Sequence, residues 1–186
     1  METPEGMFTE VEKRTLIDIV KTVIKCTLEG KAIPKFRIDS PALQEKRGAF
    51  VTLKKHHRLR GCIGHIEARK PLYKTVEEMA VAAAFNDPRF PGVRSDEYND
   101  LSIEISVLSP LKRIEDISEI TVGIHGIYIV RGLNSGLLLP QVATEYKWDR
   151  LNFLEETCYK AGLDTDAWKE KDTKIYIFSA DVFGEE

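Results

Sequence analysis

The chain has 186 residues, 42% of them hydrophobic and 31% charged, and carries a net charge of −3. That length buries a substantial core in one domain, and the balance is that of a globular protein. The charge excludes a global field that would recruit nucleic acid or an acidic membrane, and no apolar run approaches the ~20 residues of a membrane-spanning helix.

The first residues, Met1-Glu2-Thr3-Pro4-Glu5, are acidic and lack the apolar stretch of a secretory signal. Thr9-Glu10-Val11-Glu12 is a capping box, in which the threonine and the glutamate satisfy each other's backbone donors. Leu16, Val20, Val23, Ile24 and Thr27 then recur at helical spacing and Gly30 follows, so a helix is expected from about Thr9 to Glu29. Cys26 lies near that stripe and reads as a small core residue. Phe50 to Leu53 and Leu59 to Ile63 read as paired strands. The polar stretch Lys54-Lys55-His56-His57-Arg58 forms the hairpin end between them.

From Pro71 the pattern turns helical, with Leu72, Val76, Met79, Ala80 and Ala83 in a stripe and Thr75 and Glu78 offering a second capping box. The small side chains from Ala80 to Ala84 permit close packing against another element, and Asn86-Asp87-Pro88 ends the helix. Arg89-Phe90-Pro91-Gly92 is a proline-bracketed loop. Leu101 to Leu108 alternates cleanly, Ile103, Ile105 and Val107 on one side and Ser102, Glu104 and Ser106 on the other, as in a half-buried strand. A second hairpin joins Ile127–Val130 to Leu137–Leu139 through Asn134-Ser135-Gly136.

Pro140 starts a helix expected to run through Trp148. Asp149 caps the next, with Leu151, Leu154, Cys158 and Ala161 inward and Gly162 ending it. Lys174 to Phe178 is the closing strand. Helices and strands alternate without a repeating βαβ unit, so the expected class is α+β, a mainly antiparallel sheet flanked by helices. No linker or repeat divides the chain, and residues 1–186 read as one domain. Three widely spaced cysteines argue against a disulfide framework or a zinc knuckle, which points to a soluble protein of a reducing cytoplasm.

The chemistry concentrates in Leu59-Arg60-Gly61-Cys62-Ile63-Gly64. Strand alternation puts Arg60, Cys62 and Gly64 on one face and Gly61, Ile63 and His65 on the other. Residues two apart on a face lie ~6–7 Å from each other, a range at which Arg60 favours the Cys62 thiolate, the nucleophilic form. Gly64 would leave a notch where a ligand reaches the backbone. The plainer alternative is a buried cysteine on a central strand, with the glycines serving helix packing.

Lys54, Lys55, His56, His57, Arg58 and Arg60 fall within seven positions. They form either a solvated hairpin tip or an anion site for phosphate or carboxylate. His125, flanked by glycines, is a candidate acid–base partner for Cys62 or makes a local turn hydrogen bond. Glu104 is a candidate base or a solvated carboxylate. Arg89 is a candidate anion clamp or a partner of Asp87 or another carboxylate. No metal is expected, because the histidines lack ligand spacing, and no cofactor is named by any motif.

These landmarks resemble the AMMECR family, named for the human chromosomal region linked to Alport syndrome, midface hypoplasia and elliptocytosis. The signature Leu59-Arg60-Gly61-Cys62-Ile63-Gly64 is intact. Asp87-Pro88-Arg89-Phe90-Pro91, Glu104-Ile105-Ser106-Val107-Leu108, Gly123-Ile124-His125-Gly126-Ile127, Leu139-Pro140-Gln141-Val142-Ala143 and Trp148-Asp149 follow in family order, over a match from about Gly48 to Gly162. The resemblance implies a larger and a smaller lobe with a cleft at the signature strand, and small prokaryotic or archaeal members consisting of the domain alone. It also implies association with Memo-like and radical-SAM proteins.

Two functions follow as expectations. The first is an enzyme with Cys62 as nucleophile, His125 or Glu104 as acid–base partner, and a pathway shared with Memo-like and radical-SAM proteins. The alternative is a non-catalytic binding or adaptor module in which Arg60, Gly61, Gly64 and Arg89 receive a protein segment or a small anionic ligand. Nucleic acid and membrane are not expected as partners.

Overall fold

A computed structural model describes residues 7–185, so the acidic stretch at residues 1–5 lies outside the described residues. The class is α+β with antiparallel strands. The chain divides into two compact units, a larger one that runs to Leu108 and resumes at Asp181, and a smaller one, Ser109–Ala180.

In the larger unit, helix α1 (Glu10–Leu28) begins at the expected capping box, both halves of which form. Leu16, Val20, Val23 and Ile24 are fully buried; removing each such side chain from water contributes roughly 1.5–3 kcal/mol. Cys26 is half-buried, at the border of the stripe rather than in the core. A short helix α2 (Pro41–Gln44), which periodicity does not reveal at this length, precedes strands β1 (Ala49–Lys55) and β2 (Arg58–His65). Helix α3 (Leu72–Phe85) and strand β3 (Leu101–Leu108) complete the unit's main elements. The sheet order is β2-β1-β3, antiparallel throughout.

The second capping box does not form. Pro71 occupies the N-cap of α3 without a side-chain bond, and Thr75 sits inside the helix, its hydroxyl directed to the Arg47 and Pro71 carbonyls. Pro71 starts the helix a turn earlier than Thr75 would, and the Leu72 amide is satisfied by the Glu45 carbonyl at 2.8 Å. Glu78 pairs with Lys70 at 2.7 Å instead.

In the smaller unit, strands β4 (Lys112–Ile114), β5 (His125–Arg131) and β6 (Asn134–Leu138) are followed by helices α4 (Pro140–Glu145) and α5 (Arg150–Lys160). Strand β7 (Lys174–Gly184) lies between β4 and β5, antiparallel to both, and β6 flanks β5. Helix α4 is shorter than expected. Lys147 adopts a left-handed backbone (φ 55°), and the Trp148 amide turns back to the Ala143 carbonyl at 2.9 Å. That turn stacks Tyr146 on Trp148 at 4.9 Å, and Trp148 packs against the unit's core. Asp149 caps α5 through the Asn152 amide. Leu154, Cys158 and Ala161 face inward as expected, but Leu151 is exposed, since it falls in the first turn beside the cap.

β7 is longer than the run Lys174 to Phe178 suggested, because it belongs to both units. It leaves the smaller one at Ala180, and near its end the Glu185 amide donates to the Ile103 carbonyl of β3 at 3.0 Å.

Candidate functional site

The signature hexapeptide forms most of β2, which among the described residues ends the sheet and pairs only with β1. Register sets Cys62 opposite Thr52, and Thr52 opposite Glu104 on β3, so these three side chains form a row on one face. The Thr52 hydroxyl donates to the Cys62 sulfur at 3.1 Å. Glu104 accepts from Lys54 at 2.8 Å. Two strand spacings, ~10 Å, separate Cys62 from Glu104, with Thr52 between them. The expected base therefore lies on the right face but beyond direct reach of the sulfur.

Arg60 departs from the alternation. Leu53 pairs with Gly61 and Lys54 with Leu59, which leaves Arg60 as the extra residue of a β-bulge. A bulge re-aims the side chain that it carries. Here the Arg60 guanidinium leaves the Cys62 face and grips Glu97 in a two-point fork, at 2.6 Å through Nη2 and 3.3 Å through Nε. Nη2 also donates to the Gly92 carbonyl at 3.2 Å. Lys55 shares Glu97 at 3.1 Å, and the Arg94 amide donates to it at 3.1 Å. The fork and these further donors hold the Glu97 carboxyl at about 2, well below its ordinary value, with the Arg60 hydrogen bonds as the largest cause. Arg60 Nη1 is buried and has no acceptor among the described residues.

The loop Asp87-Pro88-Arg89 reads the Cys62 backbone rather than its sulfur. The Cys62 amide donates to Asp87 Oδ2 at 2.9 Å, and Arg89 Nη2 donates to the Cys62 carbonyl at 3.2 Å. Arg89 closes on Asp87 through Nε at 3.0 Å and Nη2 at 2.8 Å, while its own amide donates to Asp87 Oδ1 at 3.1 Å. This pairing, the structural one of the two readings of Arg89, drives the buried Asp87 carboxyl far below its ordinary range and raises the guanidinium's affinity for its proton. The arginine that neighbours Cys62 is therefore Arg89, not Arg60.

The glycines serve packing, and Gly64 does not leave the expected notch. A Cβ at Gly61 would come within 2.1 Å of the Ala83 carbonyl, so this glycine lets α3 lie directly on the strand. A Cβ at Gly64 would meet the Phe50 ring at 2.2 Å, so an aromatic side chain fills the space that was expected to admit a ligand. His125 belongs to the smaller unit, where Nδ1 accepts from the Thr121 amide at 3.1 Å, the local turn bond that was one of its two readings.

The hairpin end offers a concave feature. His56 and His57 form a two-residue turn with both backbones left-handed (φ 50° and 62°), a geometry that usually selects Asn or Gly. Beside it lies an open concavity of about 410 Å³ lined by Lys55, His56, Arg58, Leu59 and Arg60. Arg58 and both histidines are exposed.

Sequence reasoning missed Glu97, whose neighbours carry no pattern, and Thr52, which register alone brings to Cys62. The strained turn was legible in principle, since two residues between alternating strands signal a tight hairpin. Among the described residues no group of three or more His, Cys, Asp or Glu gathers to hold a metal ion, and no helix is long and apolar enough to cross a membrane.

The comparisons agree with this architecture. A protein of Methanothermobacter thermautotrophicus is 43% identical over 182 residues, covering 94% of this chain and 95% of that protein. Protein MK0488 of Methanopyrus kandleri is 46% identical, covering 89% and 84%. The crystal structure of the uncharacterised protein PH0010 from Pyrococcus horikoshii superposes with a TM-score of 0.90 at 39% identity, covering 97% of this chain and 94% of that one. The AMMECR1 family model matches residues 17–183. The chain belongs to the AMMECR1 family.

Proposed function

We propose that this AMMECR1-family protein is a binding module for an anionic ligand, with its recognition surface at the end of the β1–β2 hairpin. The observation that carries this reading is the concavity itself, which gathers Lys55, Arg58 and Arg60 on a small lining. Glu97 is the carboxylate bonded within that group, and it is saturated by the donors already described. Arginine suits such a role, because its planar fork matches the oxygens of carboxylate and phosphate.

Anion-dependent thermal stabilisation tests the proposal, measured with inorganic phosphate and citrate at constant ionic strength. Arg58→Ala, at an exposed position, should abolish the response without lowering the starting Tm. A wild-type protein that responds to neither anion would remove this reading.

The alternative, Cys62 as a nucleophile in a pathway shared with Memo-like and radical-SAM proteins, draws support from the incomplete burial of Cys62 and its Thr52 hydrogen bond. Against it stand the engagement of Arg60 by Glu97 and the local bond of His125. Iodoacetamide separates the two readings. Binding alone predicts slow Cys62 labelling at neutral pH and retained anion response in Cys62→Ser; rapid labelling at Cys62 alone would favour chemistry. We assign the protein to a reducing cytoplasm, in keeping with free thiols at Cys26, Cys62 and Cys158.

A further inference from the structure

We propose that the hairpin-end concavity recognises the phosphomonoester group of a small molecule. The inference rests on the anion-binding reading above and names its ligand class. Three features converge on it.

The first is charge. Lys55, Arg58 and Arg60 set three cations against the single carboxylate of Glu97, so two positive charges remain unbalanced around the concavity. Among the described residues Arg58 has no ion-pair partner. A phosphomonoester carries about −1.5 to −2 at neutral pH, which matches that excess; a single carboxylate leaves half of it unmet.

The second is an arginine held in place in advance. Arg60 lines the concavity, and among the described residues its buried Nη1 lacks an acceptor although Nε and Nη2 are fully used on Glu97 and Gly92. Nη1 itself is closed to solvent, so what Arg60 brings to a ligand in the concavity is its fixed positive charge at the lining. The bulge and Glu97 hold the guanidinium in one orientation before any ligand arrives, so little ordering is left for binding to impose.

The third is size and lining. About 410 Å³ exceeds the needs of a bare ion and falls within the range of small-molecule sites. Leu59, 44% exposed on the same lining, offers an apolar contact to the body of the molecule. The turn that shapes this rim is held in a conformation unusual for histidine at both positions, and such strain concentrates at ligand sites.

The test is calorimetric titration at fixed ionic strength with inorganic phosphate, adenosine 5′-monophosphate, its cyclic phosphodiester and citrate. Phosphatidic acid vesicles and a short RNA duplex form separate arms. Phosphate and the monophosphate should bind, the monophosphate more tightly, and the diester at least tenfold more weakly than the monoester. Arg58→Gln, at an exposed position, should weaken both by tenfold or more. Arg60→Lys, which keeps the charge but loses the fork, should do the same. Leu59→Ser should remove the advantage of the monophosphate over phosphate and leave phosphate binding unchanged.

Citrate binding as well as the monophosphate, with the same dependence on Arg58, would overturn the phosphate assignment while the anion-binding reading stands. Binding of no anion would overturn both. Binding confined to the vesicles or the RNA would overturn the small-molecule assignment.

Discussion

Two arginine–carboxylate pairs flank the signature strand, and they do different work. Arg89 and Asp87 are two residues apart, and their pair is local, with the arginine 54% exposed over a nearly buried aspartate. Arg60 and Glu97 are 37 residues apart, and both side chains are almost withdrawn from water, at 12% and 11% exposure. The first pair fixes the backbone of Cys62. The second ties the hairpin to the segment after α3 and presents the concavity. A motif that reads as one cationic site is thus two devices, separated by a bulge of one residue.

Stability measurements in urea offer the sharpest way to break that distinction. Glu97→Ala leaves the Arg60 guanidinium withdrawn from water without its partner and should cost about 3–5 kcal/mol. Arg89→Ala removes a half-exposed partner, and Asp87 keeps the amides of Cys62 and residue 89, so about 1–2 kcal/mol is expected. Equal losses would dissolve the comparison.

Between the two pairs lies Gly61. Gly61→Ala drives a methyl into the Ala83 backbone and should cost about 1–3 kcal/mol or more. Gly64→Ala also meets the carbonyl of Ala49, at 2.6 Å, but its closest neighbour is the movable Phe50 ring, so its cost should be smaller. The reverse order would mean that α3 yields more readily than the ring.

Acid sharpens the Glu97 side of the comparison. Its folded carboxyl titrates near 2, below the ordinary 4.5, so its contribution is fully present above pH 4.5 and is lost as pH falls towards 2. The stability difference between wild type and Glu97→Gln should therefore be constant above pH 5 and shrink on acidification through that window. A difference independent of pH down to 2 would show that the carboxylate charge is not what holds Arg60. The smallest effect belongs to the turn. His57→Gly relieves a left-handed histidine at the expense of a looser unfolded chain, for a net gain of about 0.5–1 kcal/mol.

Much of the fold was legible because period and punctuation reported it. The capping box at Thr9, the alternation from Leu101 to Leu108, and Asp149 as a cap all appear where local chemistry demands them. The elements misjudged were those that tertiary packing decides. Lys147 breaks α4 so that Trp148 can pack against the core, and Pro71 starts α3 against a carbonyl contributed from a distant segment. For the site, sequence located the strand but mistook its wiring. Alternation is a sound rule only in an unbroken ladder, and nothing in Leu59-Arg60-Gly61 marks the extra residue. Glu97 was equally hidden, since an acid 37 positions from its arginine leaves no periodic trace.

The cap on Cys62 has a bearing on how copies of this chain behave towards one another. Among the described residues β2 has β1 on one side and no strand on the other, and its glycine- and isoleucine-bearing sequence would suit edge-to-edge growth. Asp87 and Arg89 occupy both backbone groups of the central residue on that open side. An incoming strand would have to displace both of these hydrogen bonds, one of them to a buried carboxylate, before it could pair at Cys62. The proline-bracketed loop therefore acts as a stopper against polymerisation along the sheet.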